Sequence, residues 1–418
     1  MGSTVAEKIL ESHSGGGKVE PGQIVEVEID TVVLLDVNFL PGLWTDIRKV
    51  DRPDKITVMF DHLAPAKDIR TANAHSVGRR FVEEFGITRF HDVGYHGGIV
   101  HQVVGEEAYA RPGEILVCSD SHTCSGGAYN AAARGLGTLD IIQAACTGRT
   151  WFPCSPTIHY ELVGEIPPWL SPKDVFLHIA GEYGQHTQRN LEFAGSVVSR
   201  WSLDERRALA TMARELGAEF AIFPADDKLM RHLAEHGVDH PTPAVADPDA
   251  TYEAKRVVDV SGLAPMVALP HRVIDNCVPV ADVTDSPDLQ QCFIGSCSNG
   301  TLDDLRVAAE IVKGRRVRQG VRFIVTPASA LVAREAVRAG YVEALQDAGA
   351  IVTNTACGAC AGLDLGVLGD GERAVTSSTR NFQGRMGSPS AEIFLASSAT
   401  VAASALNGRL TDPRELAR

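Results

Sequence analysis

Short apolar runs that end in loops of glycine and small polar residues, then give way to helical patterns, set the strongest constraint on this chain. In EILVCSDSHTCSGGAYNAAARGLG, Ile115 to Cys118 is a short apolar strand. A polar, glycine-rich loop follows, and the alanine-rich stretch after it is expected to be helical. In QCFIGSCSNGTLDDLRVAAEIVKGRRV, Thr301 can cap a helix with Asp304 three residues on, and Val307, Ile311 and Val312 supply its apolar face. VRFIV then reads as a strand, SALVAREAVRAG as a helix ending at Gly340, and AIVTNT as a strand running into CGAC. Alternation of strand and helix implies parallel α/β layers, whose ligands sit where strands end and loops begin.

A chain of 418 residues exceeds one ordinary core. Residues 1–157 are expected to form one α/β domain, 158–281 a second and 282–418 a third. The middle region opens with IPPWLSP, contains the helical stretch SLDERRALATMARELGAEFAIF, and then turns polar. The net charge of -14 repels nucleic acid and anionic membranes. No apolar run approaches the roughly 20 residues of a membrane span. The N-terminal segment has Glu and Lys where a signal peptide needs an apolar stretch, so a cytoplasmic protein is expected.

Nine cysteines in such a chain are thiols, ligands or nucleophiles rather than a disulfide framework. Cys357 and Cys360 form a CxxC pair that fits a redox disulfide, half a zinc site or part of an iron–sulfur site. Cys297, in GSCSNG, also follows a short apolar strand and is the obvious third ligand. Small neighbours let backbone N–H groups approach a thiolate closely. Three thiolates without a fourth suit a metal site with an open position. Cys118, Cys146, Cys154, Cys277 and Cys292 lack paired spacing and read as small buried hydrophobes.

Asp120 and His122 stand two apart at a strand end, where a carboxylate can orient an imidazole for proton transfer. A turn stabilised by Asp and Ser side chains explains the same residues. His101, and the pair Asp61 and His62 in FDHLAP, raise the same two readings. Arg380 and Arg385 flank a glycine loop with no carboxylate between them, as for an anionic ligand such as a dicarboxylate or as solvated surface groups. His232, His236 and His240 are interrupted by Gly237 in a polar neighbourhood and read as surface. There is no GxGxxG or GxxxxGK[ST] nucleotide loop.

In this order, FDHLAPAKD, GGIVHQVV, SDSHTCSGGA, GSCSNGTLDDLRVAAEIVKGR, CGACAGLDLGVL and RNFQGRMGSPSAEIFLAS resemble the aconitase superfamily. The likeness runs from AEKIL to GRLTDP and is strongest to the large subunit of the isopropylmalate isomerase and homoaconitase group. The resemblance implies three α/β/α domains around a cluster-binding cleft, with the swivel domain absent. It implies a [4Fe–4S] cluster on Cys297, Cys357 and Cys360, with one iron lacking a protein ligand and acting as a Lewis acid. Asp120, His122, His101, Asp61, His62 and Glu215 then match catalytic positions. Arg380, Arg385, Ser296 and Asn299 match substrate contacts. A small swivel subunit would supply the catalytic serine, in a heterodimer or heterotetramer.

The implied activity is a hydro-lyase that dehydrates and rehydrates a small hydroxy-dicarboxylate such as 3-isopropylmalate. Hydration of a maleate-type substrate, an RNA-binding regulator and a structural zinc protein are the alternatives. The chain departs from the family pattern at Leu35, Asn38, Ala194 and Thr211. The departures leave the cluster chemistry in place and bear on which substrate is taken.

Overall fold

The computed structural model describes residues 2–417 apart from positions 46 and 363. Three large sheets follow one another along the chain. The first is fully parallel, in the order Arg89–His91, Ile56–Met59, Thr31–Leu35, Ile115–Cys118, Ala132–Gly135. Its central strands are buried on both faces, which is why they read as continuous apolar runs. The second sheet, also parallel, has the order Ala221–Ile222, Asn190–Ala194, Thr157–Val163, Ala254–Asp259. The third has seven strands: Cys277–Pro279, Met266–Ala268, Glu392–Ala396, Arg373–Thr376, Gln291–Ile294, Arg322–Val325 and Ile351–Val352. A two-stranded antiparallel ribbon, Ile24–Glu28 with Arg149–Pro153, adjoins the first sheet.

The third sheet takes in Met266–Ala268 and Cys277–Pro279, which precede residue 282 and pair antiparallel at its edge. We propose three units that follow the three large sheets, the last beginning ahead of Met266. No helix among the described residues is long and apolar enough to cross a membrane.

The alanine-rich stretch after SDSH is not an α-helix. It forms a 3-10 turn, Thr123–Tyr129, and then the strand Ala132–Gly135. Close packing explains the difference. A Cβ on Gly127 would lie 1.8 Å from the Ala221 carbonyl oxygen, so only glycine lets the two sheets approach here. Asn130 then turns left-handed (φ 61°) and its carboxamide donates to the Phe223 carbonyl at 2.9 Å. The alanines that follow pair with Ile115–Cys118. Tertiary pairing overrides the helix propensity of alanine.

The helix expected after Cys297 forms as read. It spans Leu302–Val312, with Thr301 and Asp304 in a reciprocal capping box. The helical stretch in the middle region is shorter than its pattern: Leu203–Ala213 is α-helix, Arg214–Leu216 is a 3-10 turn, and Ala221–Ile222 is a strand. The polar run that follows contains a further helix, Asp227–Glu235, anchored by buried Leu229 and Leu233.

Candidate active site

Most of the candidate residues leave the carboxyl end of a strand, where parallel sheets open into loops. Ile56–Met59 runs into Asp61 and His62, and Ile115–Cys118 into Asp120 and His122. Gln291–Ile294 runs into Cys297, Ile351–Val352 into Cys357, and Arg373–Thr376 into Arg380. The middle unit contributes Glu215 from the 3-10 turn Arg214–Leu216.

Asp120 is the hub. One of its oxygens accepts from His101 Nε2 at 2.8 Å and from the His122 backbone N–H at 2.6 Å. Its other oxygen lies 3.3 Å from His62 Nε2. Burial alone would push this carboxyl up, but the three imidazoles hold it well below the usual carboxylate range. His62 Nδ1 is also 2.7 Å from Asp61, whose second oxygen accepts from the Val100 N–H at 2.9 Å. Burial opposes charge on His62, yet the Asp61 and Cys357 charges and the bond to Asp120 raise its pKa well above the ordinary value. His101 goes the other way: burial lowers it, which favours the neutral imidazole. A carboxylate only accepts, so Nε2 carries the His101 proton and Nδ1 accepts from the Ser125 hydroxyl at 2.9 Å.

His122 reaches across the cleft. Its Nε2 lies 2.8 Å from Glu215 Oε1, which also accepts from Arg380 Nε at 2.8 Å. Arg380 Nη2 donates to the Ser121 hydroxyl at 3.1 Å. Burial disfavours the charged form of His122, while Cys297, Asp120 and Glu215 raise it well above the ordinary range. Two imidazoles raised toward the charged form, His62 and His122, and one lowered, His101, therefore surround one carboxylate, an arrangement suited to holding and moving a proton.

The thiols adjoin this network. Ser296 donates to Cys360 Sγ at 3.1 Å and stands 3.7 Å from Cys297 Sγ. Arg385 Nη2 donates to Cys360 Sγ at 3.4 Å. Burial pushes the Cys360 thiol up, but Arg385 and the Ser296 hydroxyl outweigh it and bring it to about 7. The Cys357 backbone N–H binds the Asp61 carbonyl at 3.3 Å, which joins the CxxC loop to the first sheet. Local backbone geometry is unusual here. Ser296 is left-handed (φ 79°), a conformation that costs a non-glycine residue about 1–3 kcal/mol. A Cβ on Gly295 would lie 2.8 Å from the Phe293 ring, so the loop bends flat over that ring.

This donor set fits a cluster bound by three thiolates. Cationic Arg385 donates to Cys360 Sγ, and its Nε is buried with no hydrogen-bond partner, an orphaned donor on a side chain that lies against a thiol. Ligand atoms of Asp61, His62 and Cys357 also lie within 4.8 Å of one another. Both ring nitrogens of His62 are already engaged there, Nδ1 by Asp61 at 2.7 Å and Nε2 by Asp120 at 3.3 Å. His232 and His236 are spent on backbone carbonyls, at 2.8 Å each, and form no metal group.

The aconitase family model (aconitate hydratase) matches residues 7–292 and 275–408. The chain belongs to the aconitase family. The 3-isopropylmalate dehydratase large subunit of Mycolicibacterium smegmatis is 51% identical over 416 residues, covering 100% of this chain and 98% of that one. The 3-isopropylmalate dehydratase large subunit 1 of Methanopyrus kandleri is 43% identical over 423 residues, covering 99% of each. Among solved structures, the holo form of aconitase X from Thermococcus kodakaraensis shares the fold, with a TM-score of 0.52 at 12% identity over 88% of each chain. Membership of the aconitase family implies a [4Fe–4S] cluster, and the three cysteines of this cleft fit one.

The structure does not bring Asn299 to the cleft face. Its carboxamide donates to Asp304 at 2.9 Å and accepts from Ser298 at 3.0 Å, fastening the Cys297 loop to the following helix. The positions that depart from the family pattern mostly lie behind the cleft. Thr211 is buried and donates to the Arg207 carbonyl at 2.7 Å within its own helix. Leu35 is core, and Asn38 accepts from the Leu35 N–H at 2.7 Å and from the Ser119 hydroxyl at 2.6 Å, bracing the SDSH loop. Ala194 closes the strand Asn190–Ala194.

Three groups escape a sequence reading. Ser121 and Ser125 touch Arg380 and His101, but serine in a loop carries no distinctive signal. Arg207 looks like a surface arginine of a charged helix, yet it is fully buried and donates to the Cys297 carbonyl at 2.6 Å.

Proposed function

We propose that this chain is the cluster-bearing large subunit of a hydro-lyase of the 3-isopropylmalate dehydratase type. It acts on a small hydroxy-dicarboxylate by removing water and adding it back. The observation that carries this reading is the continuous chain Asp120–His122–Glu215–Arg380 beside three cysteine sulfurs. The names of the relatives, each a large subunit of 3-isopropylmalate dehydratase, support it.

Cys297, Cys357 and Cys360 would hold a [4Fe–4S] cluster whose fourth iron, without a protein ligand, supplies Lewis-acid polarisation of the substrate hydroxyl. Arg380 and Arg385 bind the substrate carboxylates, since guanidinium matches a carboxylate fork. Arg380 is oriented for this by Glu215 and Ser121. His122 holds the proton at Nε2 that the departing hydroxyl takes up, and Glu215 lies 2.8 Å from that nitrogen. Asp120 fixes His122 and His101 relative to each other. A serine of a small partner subunit takes the proton from the neighbouring carbon, so turnover requires both chains.

The test is incubation of the chain and its small subunit with 3-isopropylmalate, citramalate and maleate. Reversible dehydration of 3-isopropylmalate is expected, with no turnover by either chain alone. Hydration of maleate without isomerisation of the alkylmalates would replace the assignment by a simple hydratase.

A further inference from the structure

Lys173 lies against the Cys297 loop, and the mechanism above does not use it. It is the second residue of the helix Pro172–Tyr183, behind the N-cap Ser171. A cation at this end of a helix opposes the macrodipole. Lys173 is nevertheless only 1% exposed. Its three protons go to Ser298 Oγ at 2.7 Å, the Ser377 carbonyl at 2.7 Å and the Ser378 carbonyl at 2.8 Å, with Met212 Sδ at 3.5 Å. All of these acceptors are neutral, and no ion pair to a carboxylate is formed among the described residues. Arg207, buried in the helix Leu203–Ala213 against the same loop, differs in having Asp204 at 3.3 Å.

A buried charge without a counter-ion is costly, and such groups are normally paired. Burial brings the Lys173 ammonium down to about 8, and the charges that oppose this are those of Asp304, Cys297, Cys360 and Asp174, in that order. The largest is the Asp304 carboxylate, which makes no direct ion pair with Lys173, and the next two are cysteines of the proposed cluster. The hydrogen bonds point the same way. Ser298 follows Cys297 directly, and Ser377 and Ser378 begin the loop that carries Arg380.

We propose that Lys173 is a positioning residue for the cluster, joining the Cys297 loop to the Arg380 loop and supplying a fixed positive charge that the thiolate-ligated cluster compensates. This rests on the cluster reading above. A nearby cation favours the more reduced, more negative state of an iron–sulfur centre, because net charge and hydrogen bonding around the sulfurs set its potential. Removing the charge therefore shifts the midpoint potential to more negative values. A purely structural lysine would alter stability and leave the potential where it was.

The experiment uses the full chain, reconstituted anaerobically with iron and sulfide, as wild type, K173M, K173Q and K173R. Iron, sulfide and the midpoint potential are measured in the same samples. The expected result is a negative shift in K173M or K173Q, with K173R close to wild type. Loss of the cluster from both neutral variants but not from K173R also supports the charge role. A full cluster with an unmoved potential in either neutral variant overturns the proposal, as does cluster loss in all three variants. Wild type without iron and sulfide would instead overturn the cluster reading itself.

Discussion

A chain carrying Cys360→Ser is expected to lose both bound iron and turnover, with activity beside its small subunit falling below detection. Cys360 is the thiol most strongly drawn toward its anion, through Arg385 and the Ser296 hydroxyl. A serine hydroxyl does not ionise in this range, so it offers no thiolate and leaves Arg385 without an anionic acceptor. The comparison that makes the result specific is Cys292→Ser. Cys292 is fully buried in the strand Gln291–Ile294, two residues short of the loop, and burial pushes its thiol up rather than down. That variant should keep its iron and its substrate kinetics, and lose about 1–3 kcal/mol of stability from placing a hydroxyl in the core. Iron per chain and kcat/KM, measured for both variants, check the contrast.

Asp120→Asn should lower kcat by about 10²–10⁴-fold, the range for loss of proton-transfer function, with KM changed far less. The carboxylate accepts from His101 and the His122 backbone and lies against His62. An asparagine is nearly isosteric but has one acceptor oxygen and no charge. His62 and His122 both lose an anion that raises them, so their protonated forms should weaken and the pH profile should move to lower pH. Arg380 and Arg385 do not touch Asp120, which is why substrate affinity should persist. Steady-state kinetics across pH measures both effects. A drop confined to KM would place Asp120 in binding rather than proton handling.

What was legible in the sequence follows a physical rule. Short-range patterns were reliable: the Thr301–Asp304 capping box formed, and the apolar runs before SDSH and GSCSNG became strands ending at the cleft. The alanine-rich stretch misled because its fate was decided by Ala221, on another sheet, packing against Gly127. The candidate residues stood out because several rare residue types fall in loops at strand ends. Glu215 came through family likeness alone, since a glutamate in an amphipathic helix looks like any solvated one. Lys173 and Arg207 were invisible for the same reason. Their partners Ser377 and Cys297 lie far along the chain, and burial of a long polar side chain depends on the assembled loops. The one local hint for Lys173 was a cation placed against a helix dipole.

The most direct measurement is the iron, zinc and acid-labile sulfide content of the wild-type chain after anaerobic preparation. About four iron and four sulfide per chain, on a protein whose only paired cysteine spacing is Cys357 and Cys360, is the expected result. Stoichiometric zinc with no sulfide would contradict it.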